Sequence, residues 1–454
     1  MRGPNYWSIR RHKLIVMVLD LEELEERPTN KIDGFRERLE ELLPSLYTHR
    51  CSEDTEGGFF MRVDEGTWMG HVIEHIALEI QTLAGMDVGF GRTRGYGEHG
   101  VYNVVFSYME EKVGRFAAKA SVEIAEALIA GEEYDLEADI QHMRELREGE
   151  RLGPSTGSII KEAESRGIPW IRLNKYSLCQ LGYGKNQKRI QATVSSETSS
   201  IAVELACDKE DTKYILEQAE VPVPKGDIVR TEAGLEDAVK YIGYPLVIKP
   251  INGNHGRGIT ANLDNWEDTL EAFHAAKEIS RSVIVERFIN GEDYRLLVID
   301  YKLVAAAKRT PAGVTGDGEL TIQELVDKVN EDPRRGYGHE KVLTQITIND
   351  MTEDILEQAG KSVDTVLPEG EWMALKDTAN LSTGGTSTDV TDIVHPHNVF
   401  MAERISRLIG LDICGIDIMT TDISSPLHET GGAVLEVNAG PGFRMHLAPS
   451  EGLP

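Results

Sequence analysis

Apolar residues follow two different spacings over the first 150 positions of the chain. The runs LIVMVLDL (14–21) and VYNVVFSYM (101–109) are short and rich in β-branched residues, which predicts strands. The segments HVIEHIALEIQTLAG (71–85) and GRFAAKASVEIAEALIAG (114–131) repeat apolar residues at helical spacing, which predicts amphipathic helices. We therefore expect a separate α/β amino-terminal domain over residues 1–152, which ends where Gly153-Pro154 interrupts a charged helical segment.

The pattern changes after this boundary. The sequence of residues 153–224 predicts helix, strand, helix and strand. The first helix is expected to start just after Gly153-Pro154, with Ser155 or Thr156 as its cap. From residue 225 to 454, short β-rich runs alternate with helices; they include YPLVIKP, SVIVERFI, YRLLVID, KLVAAAKR, ICGIDIMTTD and GAVLEVNAG. YRLLVID and KLVAAAKR are joined by a short turn, which predicts an antiparallel hairpin. The fold class expected for this part is α+β, not a doubly wound parallel sheet.

Composition narrows the range of functions. The chain has 48 basic and 76 acidic residues, a formal charge of −28, and such a surface would repel nucleic acid. An acidic surface can also serve only to keep an enzyme soluble, and it is compatible with a cationic substrate. Since no apolar run approaches the length of a membrane span and no signal-peptide cleavage site follows the basic amino terminus, we expect neither a membrane protein nor an exported one. Scattered cysteines favour a reducing cytoplasm.

The segment KPINGNHGRGIT (249–260) combines a strand-terminal lysine with a glycine-rich loop. Glycine lets backbone N–H groups approach oxyanions, and lysine adds a positive charge, so Lys249 with Gly253, Gly256 and Gly258 suits bound phosphates. The loop is not a Walker A motif, which occurs nowhere in the chain. An ordinary hairpin turn remains an equal alternative on this loop alone.

Oxygen-bearing side chains near other strand ends favour the phosphate interpretation. Glu286 and Asp293 flank a turn in VERFINGEDYR, and they are suited to accept from an adenine amino group and a ribose hydroxyl. Asp417 lies in GIDIM, and Glu436 and Asn438 share one face of the strand VLEVN because side chains alternate along a strand. Two carboxylates and an amide are hard oxygen ligands, which predicts a Mg²⁺ ion that bridges nucleotide phosphates.

These motifs, in this order and together with Lys213 in DKEDTK, resemble those of ATP-grasp ligases. The stretches RGPNYWSIRRHKLIVM, GPSTGSI, LGYGKNQKRIQAT, KPINGNHGRGIT, TGDGELTIQELV, ANLSTGGTSTDVTD and GPGFRMHLAPS are similar to cyanophycin synthetases, from residue 2 to the end of the chain. The resemblance implies an ATP-grasp fold behind the amino-terminal domain, with 153–224 as its leading subdomain and 225–454 as its nucleotide-binding and catalytic subdomains.

The resemblance also implies a reaction. The family builds a polymer with an aspartate backbone and arginine on each side chain; its ATP-grasp domain phosphorylates the polymer's terminal carboxylate, which the amine of L-aspartate then attacks. The implied cofactors are ATP and Mg²⁺, the implied partners are a cyanophycin primer and L-aspartate, and the implied assembly is a homotetramer. Carried onto this chain, the resemblance implies the following contacts: Lys213 and Lys249 to the α and β phosphates, the loop from Gly253 to Gly258 with His255 over the γ phosphate, Glu286 and Ile289 to adenine, Asp293 to ribose, and Asp417, Glu436 and Asn438 to Mg²⁺.

Other residues are candidates for binding the reacting groups. Arg309 follows the apolar strand KLVAAAK, and its planar fork suits the acyl phosphate, although a surface ion pair is an alternative. The turn NLSTGGTS (380–387) offers hydroxyl and amide groups for a substrate carboxylate, with Asn380, Ser382 and Gly384 as candidates and a solvated loop as the alternative. Ser155 and Ser158 are candidates for polymer contact. For these two serines, helix capping is the more ordinary explanation.

A second group of residues lies in the amino-terminal domain. His71 and His75 are four residues apart on one predicted helix with Glu74 between them, the H-x-x-E-H order in which two histidines hold Zn²⁺ and the glutamate activates water. A half-exposed helix that happens to carry two histidines is the alternative. The resemblance favours a site, because some members have an amino-terminal domain like a metallopeptidase that trims polymer into primers. The third ligand is left open between Glu79 and Glu132.

Two further functions compete with the main one. Another ATP-grasp ligase, such as a glutathione or dipeptide synthetase, would share the nucleotide residues, and a non-catalytic polymer-binding fragment would keep the motifs without turnover. The family pattern also includes a Mur-ligase-like third domain with its own Walker A loop, and it begins one strand earlier. These differences lead us to expect a fragment that does not add arginine.

Overall fold

The structure, a computed structural model, describes residues 5–9, 12–251, 258–336 and 341–454. It divides into two compact units, Met1–Arg151 and Leu152–Pro454. The predicted loop residues Gly253, His255 and Gly256 lie outside the described residues.

The first unit packs helices on an antiparallel sheet. Its strands are β1 (Leu14–Asp20), β2 (Gly91–Gly95) and β3 (Val101–Ser107), and its helices are α1 (Phe35–Leu42), α2 (Gly58–Glu65), α3 (Met69–Leu83), α4 (Glu111–Ala130) and α5 (Leu136–Glu150). The strand order is β1-β3-β2, with Leu14 opposite Ser107. Helix α3 packs against α4 and β3, and it is buried over most of its length. Polar side chains on α3 therefore need partners inside this unit.

The second unit holds the remaining elements. Its helices are α6 (Pro154–Ser165), α7 (Ser200–Cys207), α8 (Lys209–Gln218), α9 (Glu232–Ile242), α10 (Trp266–Ile279), α11 (Ile322–Asn330), α12 (Asp350–Gln358), α13 (Pro396–Ile409), α14 (Leu427–Thr430) and α15 (Arg444–Leu447). Its strands are β4 (Trp170–Arg172), β5 (Cys179–Leu181), β6 (Lys188–Gln191), β7 (Val194–Ser195), β8 (Gly226–Val229), β9 (Leu246–Pro250), β10 (Thr260–Leu263), β11 (Val283–Arg287), β12 (Glu292–Ile299), β13 (Lys302–Thr310), β14 (Gly313–Thr315), β15 (Arg335–Gly336), β16 (Leu343–Thr344), β17 (Trp372–Ala374), β18 (Thr386–Asp389), β19 (Ile413–Thr420) and β20 (Ala433–Asn438).

Two antiparallel sheets of the second unit carry the candidate residues. One has the order β10-β9-β11-β8 and packs on α9 and α10. The other has the order β18-β13-β12-β19-β20 and packs on α13. The predicted hairpin is confirmed as β12 and β13, in which Asp293 faces Arg309. The α+β class is likewise confirmed, since helices pack on antiparallel sheets.

The start of α6 corrects one expectation. The cap is Gly153, which makes no side-chain hydrogen bond, and Pro154 is the first helical residue. Proline suits this position because its missing N–H would have no partner inside the helix. Ser155 and Thr156 therefore lie inside the helix rather than capping it.

Among the helices that the structure describes, none combines the length and apolarity that a bilayer crossing needs.

Candidate active site

Four charged residues on one face of the β18-β13-β12-β19-β20 sheet form a continuous network. Asp293 and Arg295 share this face of β12; Arg309 lies opposite Asp293 on β13, and Asp417 lies opposite Arg295 on β19. Arg309 donates to Asp293 Oδ1 from Nε (2.9 Å) and Nη2 (2.6 Å), and its Nη2 also donates to Asp417 Oδ2 (3.1 Å). Arg295 donates to Asp417 Oδ1 from Nε and to Oδ2 from Nη2. We call Asp293, Arg295, Arg309 and Asp417 the four-charge network.

The four-charge network is largely buried, so burial and the ion pairs together determine the pKa of each carboxyl group. Burial alone would raise the pKa of Asp417, but the charges and hydrogen bonds of Arg295 and Arg309 outweigh it and hold that pKa below its usual range. For Asp293, burial wins over the attraction of Arg309, and its pKa is raised. Asp417 is therefore the firmly ionised carboxylate to which both guanidinium groups are bound.

The predicted metal ligands lie beside this network. Glu436 on β20 faces Asp417 across the strand pair, and Asn438 faces Gly415 two residues further on. The Glu436 carboxylate is 3.6 Å from Lys209 Nζ, and its side chain is 41% exposed. Asn438 Nδ2 is buried and has no hydrogen-bond partner among the described atoms. The carboxylate oxygens of Glu436 and the amide oxygen of Asn438 fit a hard cation, while the buried Asn438 Nδ2 still lacks an acceptor among the described atoms.

Two predicted phosphate ligands converge on Glu286. Lys249 Nζ lies 2.5 Å from Glu286 Oε2, and Lys213 Nζ lies 2.9 Å from Oε1. Burial would raise the pKa of Glu286, but the two lysines outweigh it and keep the carboxyl ionised. Ile289 lies in the loop after β11, and Gly258 has φ +75°, which favours glycine.

Helix α8 links the lysine pair to the predicted metal ligands. Lys209 contacts Glu436, and Lys213, one turn later on the same helical face, contacts Glu286. Lys249 and Glu436 therefore belong to two ion-pair groups that α8 joins through Lys213 and Lys209, rather than to opposite surfaces.

The predicted substrate turn is fixed by its backbone. Asn380 Oδ1 accepts from Ser382 N (2.9 Å), while the Ser382 side chain is exposed. Gly384 has φ +98°, and its carbonyl accepts from buried Arg335 Nη1 (3.1 Å). A Cβ at this glycine would lie 2.7 Å from Ile346 Cγ1. The turn is thus held rigidly, with the Ser382 hydroxyl directed outward.

The two serines of α6 have different surroundings. Ser155 Oγ accepts from Phe443 N (2.9 Å), in the turn that follows β20. Ser158 Oγ donates to Pro154 O one helical turn earlier. Ser155 therefore fixes the segment after the predicted metal ligands, whereas the hydrogen bond of the Ser158 hydroxyl stays within its own helix.

The H-x-x-E-H residues belong to a separate group in the first unit. Cys51, His71 and His75 each bring a ligand atom within 4.8 Å of the others, and Cys51 Sγ is 3.3 Å from His71 Nε2. Burial lowers the pKa of His71 to about 4, and burial lowers that of His75 well below its usual value. Both rings are therefore neutral, as a metal ligand must be.

Hydrogen bonds fix which nitrogen of each ring is available. His49 donates from Nε2 to Glu79 Oε2 (2.7 Å), so its Nδ1 accepts from His75 Nδ1 (2.8 Å) and leaves the lone pair of His75 Nε2 free for a metal. His71 Nδ1 bonds Thr67 Oγ1 (3.0 Å), which directs Nε2 toward Cys51. The structure does not bring either acid considered as the third ligand into this group: Glu79 bonds His49, and Glu132 is exposed after α4.

Glu74 lies on the same helix as the two histidines. Its carboxylate accepts from Thr93 Oγ1 (2.7 Å), and burial raises its pKa to about 7 despite that bond and the charge of Arg92. A Cβ at Gly91 would lie 2.8 Å from the Glu74 carboxyl carbon, so this glycine makes room for the acid. The side chain is shielded and partly protonated near neutral pH.

Sequence reasoning missed Arg295 and Cys51. The alternation in EDYRLLVI places Arg295 on the face of Asp293, which was a usable signal. Cys51 carried no spacing signal, but it has φ +51°, a strained conformation that tends to mark functional positions.

Comparison with known proteins adds independent information. Residues 16–130 match the cyanophycin synthase-like N-terminal domain, and residues 206–319 match the RimK-like ATP-grasp domain. A cyanophycin synthetase of Trichormus variabilis is 55% identical over 458 residues, covering 100% of this chain and 51% of the relative. One from Synechocystis sp. is 54% identical over 460 residues, covering 100% and 53%.

A solved structure supports the fold. The bifunctional glutathione synthetase from Pasteurella multocida superposes with a TM-score of 0.53 at 26% identity, covering 76% of this chain and 50% of that one. The chain spans about half the length of the curated relatives it matches. Over the part that these matches cover, with its N-terminal domain followed by an ATP-grasp domain, the chain belongs to the cyanophycin synthetase family.

Proposed function

We propose that the second unit is an ATP-dependent amide ligase that phosphorylates the terminal carboxylate of cyanophycin and adds L-aspartate through an acyl phosphate. The observation that supports this proposal is the pair of contacts made by α8, in which Lys209 binds Glu436 and Lys213 shares Glu286 with Lys249. A magnesium nucleotide requires cations for its phosphates and hard oxygen ligands for its metal, and α8 carries a lysine in contact with each of these groups.

The lysine pair supplies the charge for nucleotide binding. Lys213 and Lys249 currently share Glu286, and phosphate oxygens are better partners because they carry more negative charge. When the lysines turn to the phosphates, Glu286 is free to accept from the adenine amino group and Asp293 from a ribose hydroxyl. Bound Mg²⁺ would neutralise phosphate charge, with Glu436, Asn438 and Asp417 as its ligands.

Arg309 is the residue we assign to the acyl phosphate. Its Nε and Nη2 are bound to Asp293 and Asp417, while Nη1 has no hydrogen-bond partner among the described residues. In the reaction, a carboxylate oxygen attacks the γ phosphorus and ADP leaves; the amine then attacks the carbonyl carbon, phosphate leaves and the amine loses a proton. Arg309 stabilises the negative charge on the reacting phosphate and carbonyl oxygens in both steps. It does so without reorienting, because its ion pairs already fix its position.

We propose that the rigid turn at residues 380–384 binds the polymer's terminal carboxylate, and that the exposed Ser382 hydroxyl makes the contact. Ser155 acts indirectly through its bond to Phe443, and Ser158 would have to leave Pro154 O to reach a substrate. The assembly as a homotetramer and the cytoplasmic location are also proposals, supported by family membership and by the scattered cysteines.

Mass spectrometry of product chains tests the ligase. The purified chain is incubated with ATP, Mg²⁺, L-aspartate and a short synthetic Asp-Arg primer, and a gain of one aspartate is expected. Lys249→Ala should abolish the gain, whereas Lys240→Ala, which removes an exposed lysine on α9, should not. Glutathione precursors are included in parallel: turnover with them and none with the primer would favour a glutathione-synthetase-like ligase. ATP turnover unaffected by Lys249→Ala would contradict any catalytic role for the lysine pair.

A second proposed function rests on the Cys51, His71 and His75 group. We infer a zinc-dependent hydrolase in the first unit that cuts polymer into primers, with Glu74 as the base that activates water. Glu74→Gln should abolish primer formation from long polymer and leave ATP-dependent ligation intact. Zinc content that stays at background after incubation with Zn²⁺ would overturn this assignment.

A further inference from the structure

Helix α15 (Arg444–Leu447) lies against β18 and β13, the strands that carry Ser387 and Arg309. Ser387 is directly opposite Arg309, and its buried hydroxyl donates to Met445 O (3.2 Å). This bond fixes the short helix next to the four-charge network. The next residue, His446, is buried, with 8% of its surface exposed.

The imidazole of His446 makes no hydrogen bond with its surroundings. Neither Nδ1 nor Nε2 has a hydrogen-bond partner among the described residues. Buried polar side chains are nearly always paired, because an unpaired one loses its bonds to water without replacement. A fully unpaired buried imidazole beside a candidate active site therefore indicates a partner that arrives with the substrate.

The charges around His446 define what that partner can be. Burial is the largest cause that lowers its pKa to about 4; the charges of Arg295 and Arg309 act in the same direction, and Asp389 acts against them. The ring is neutral and offers one N–H donor and one acceptor nitrogen. Arg295 and Arg309 already donate to Asp417, whereas the acceptor nitrogen of His446 receives no hydrogen bond from the described residues, so an N–H donor on the substrate would complete it.

We propose that His446 is a substrate-binding residue of the ligase, which accepts a hydrogen bond from the amine of the incoming amino acid. This inference rests on the proposed ligase function. The bond orients the amine nitrogen so that its lone pair faces the acyl carbon. As the new C–N bond forms, the C–O bond to phosphate breaks, and the amine's proton leaves with the phosphate rather than staying on the weakly basic ring.

The two half-reactions separate this role from phosphorylation. Hydroxylamine intercepts an acyl phosphate as a hydroxamate, so ATP, primer and hydroxylamine without aspartate report the first step alone. His446→Phe fills the space without an acceptor, whereas His446→Asn and His446→Gln keep polar groups in a smaller or differently shaped side chain. Exposed His428→Phe is the control.

We expect His446→Phe to form hydroxamate at a rate within about threefold of wild type and to lose at least tenfold in kcat/KM for L-aspartate. His446→Asn or His446→Gln should recover part of that loss. If Phe supports aspartate addition normally, or if all variants lose both half-reactions and thermal stability equally, His446 has only a packing role. No hydroxamate from wild type would instead overturn the ligase assignment, and this inference with it.

Discussion

The guanidinium group of Arg309 is bound to Asp293 directly across the β12–β13 pair, with Nε and Nη2 at 2.9 and 2.6 Å from one carboxylate oxygen. The same Nη2 reaches Asp417 at 3.1 Å. Two strands thus hold the arginine in place before any substrate binds, and its planar fork is needed for both contacts.

Arg309→Lys tests that geometry. Lysine keeps the charge but cannot hold both aspartates and still present a second donor, so kcat for aspartate addition should fall on the order of a hundredfold. Lys302→Arg, at an exposed position on the same strand, is the control for folding and expression. Near-normal kcat in Arg309→Lys would show that charge alone is sufficient.

Asp417→Asn should destabilise the second unit. The substitution leaves two buried guanidinium groups without their shared anion, and breaking a buried ion pair costs about 3–5 kcal/mol. Urea unfolding of the chain measures the change. Asp392→Asn, at an exposed position, is the matched control. An equal midpoint for the two variants would mean that solvent already compensates the network.

Cys51→Ser should weaken zinc binding by the first unit at least about tenfold, because a hydroxyl is a far poorer zinc ligand than a thiolate. Competition with a chromophoric chelator measures the affinity. Exposed Cys207→Ser serves as the comparison. Should Cys51→Ser bind zinc as tightly as wild type, the two histidines must recruit a different third ligand.

Acid should destabilise the second unit through His446. Its folded pKa is lowered from 6.5 to about 4, so the unfolded chain binds the proton more readily. The stability that this residue supports is intact above pH 6.5, is lost as the pH falls through this range, and changes no further below about 4. At about 1.4 kcal/mol per pH unit, the loss is at most about 3–4 kcal/mol.

The comparison with His446→Phe isolates this effect from other titrating groups. Thermal unfolding without ligands, followed from pH 7 to 4, should show a steeper acid loss in wild type than in the variant. Parallel curves would contradict a buried, neutral imidazole.

Periodicity and motif order predicted the α+β class and the β12–β13 hairpin because both depend on neighbouring residues. The Asp417 contact of Arg295 could not be predicted in this way, since the partners are 122 positions apart and strand order decides the pairing. The expected cap at Ser155 or Thr156 was wrong because Pro154 fits the first helical position, so the cap is Gly153 and α6 starts at least two residues earlier. Cys51 approaches His71 only through a turn with positive φ, which residue type does not reveal. The nucleotide, metal and substrate assignments themselves remain predictions.

The order β18-β13-β12-β19-β20 has a consequence for biosynthesis. Glu286 and Asp293 are translated well over a hundred residues before Glu436 and Asn438, and Ser155 meets its partner Phe443 288 positions later. Because such distant pairings form late, ribosome-bound chains halted before β20 should not bind nucleotide. Nucleotide binding should appear abruptly once the segment through Phe443 has left the exit tunnel.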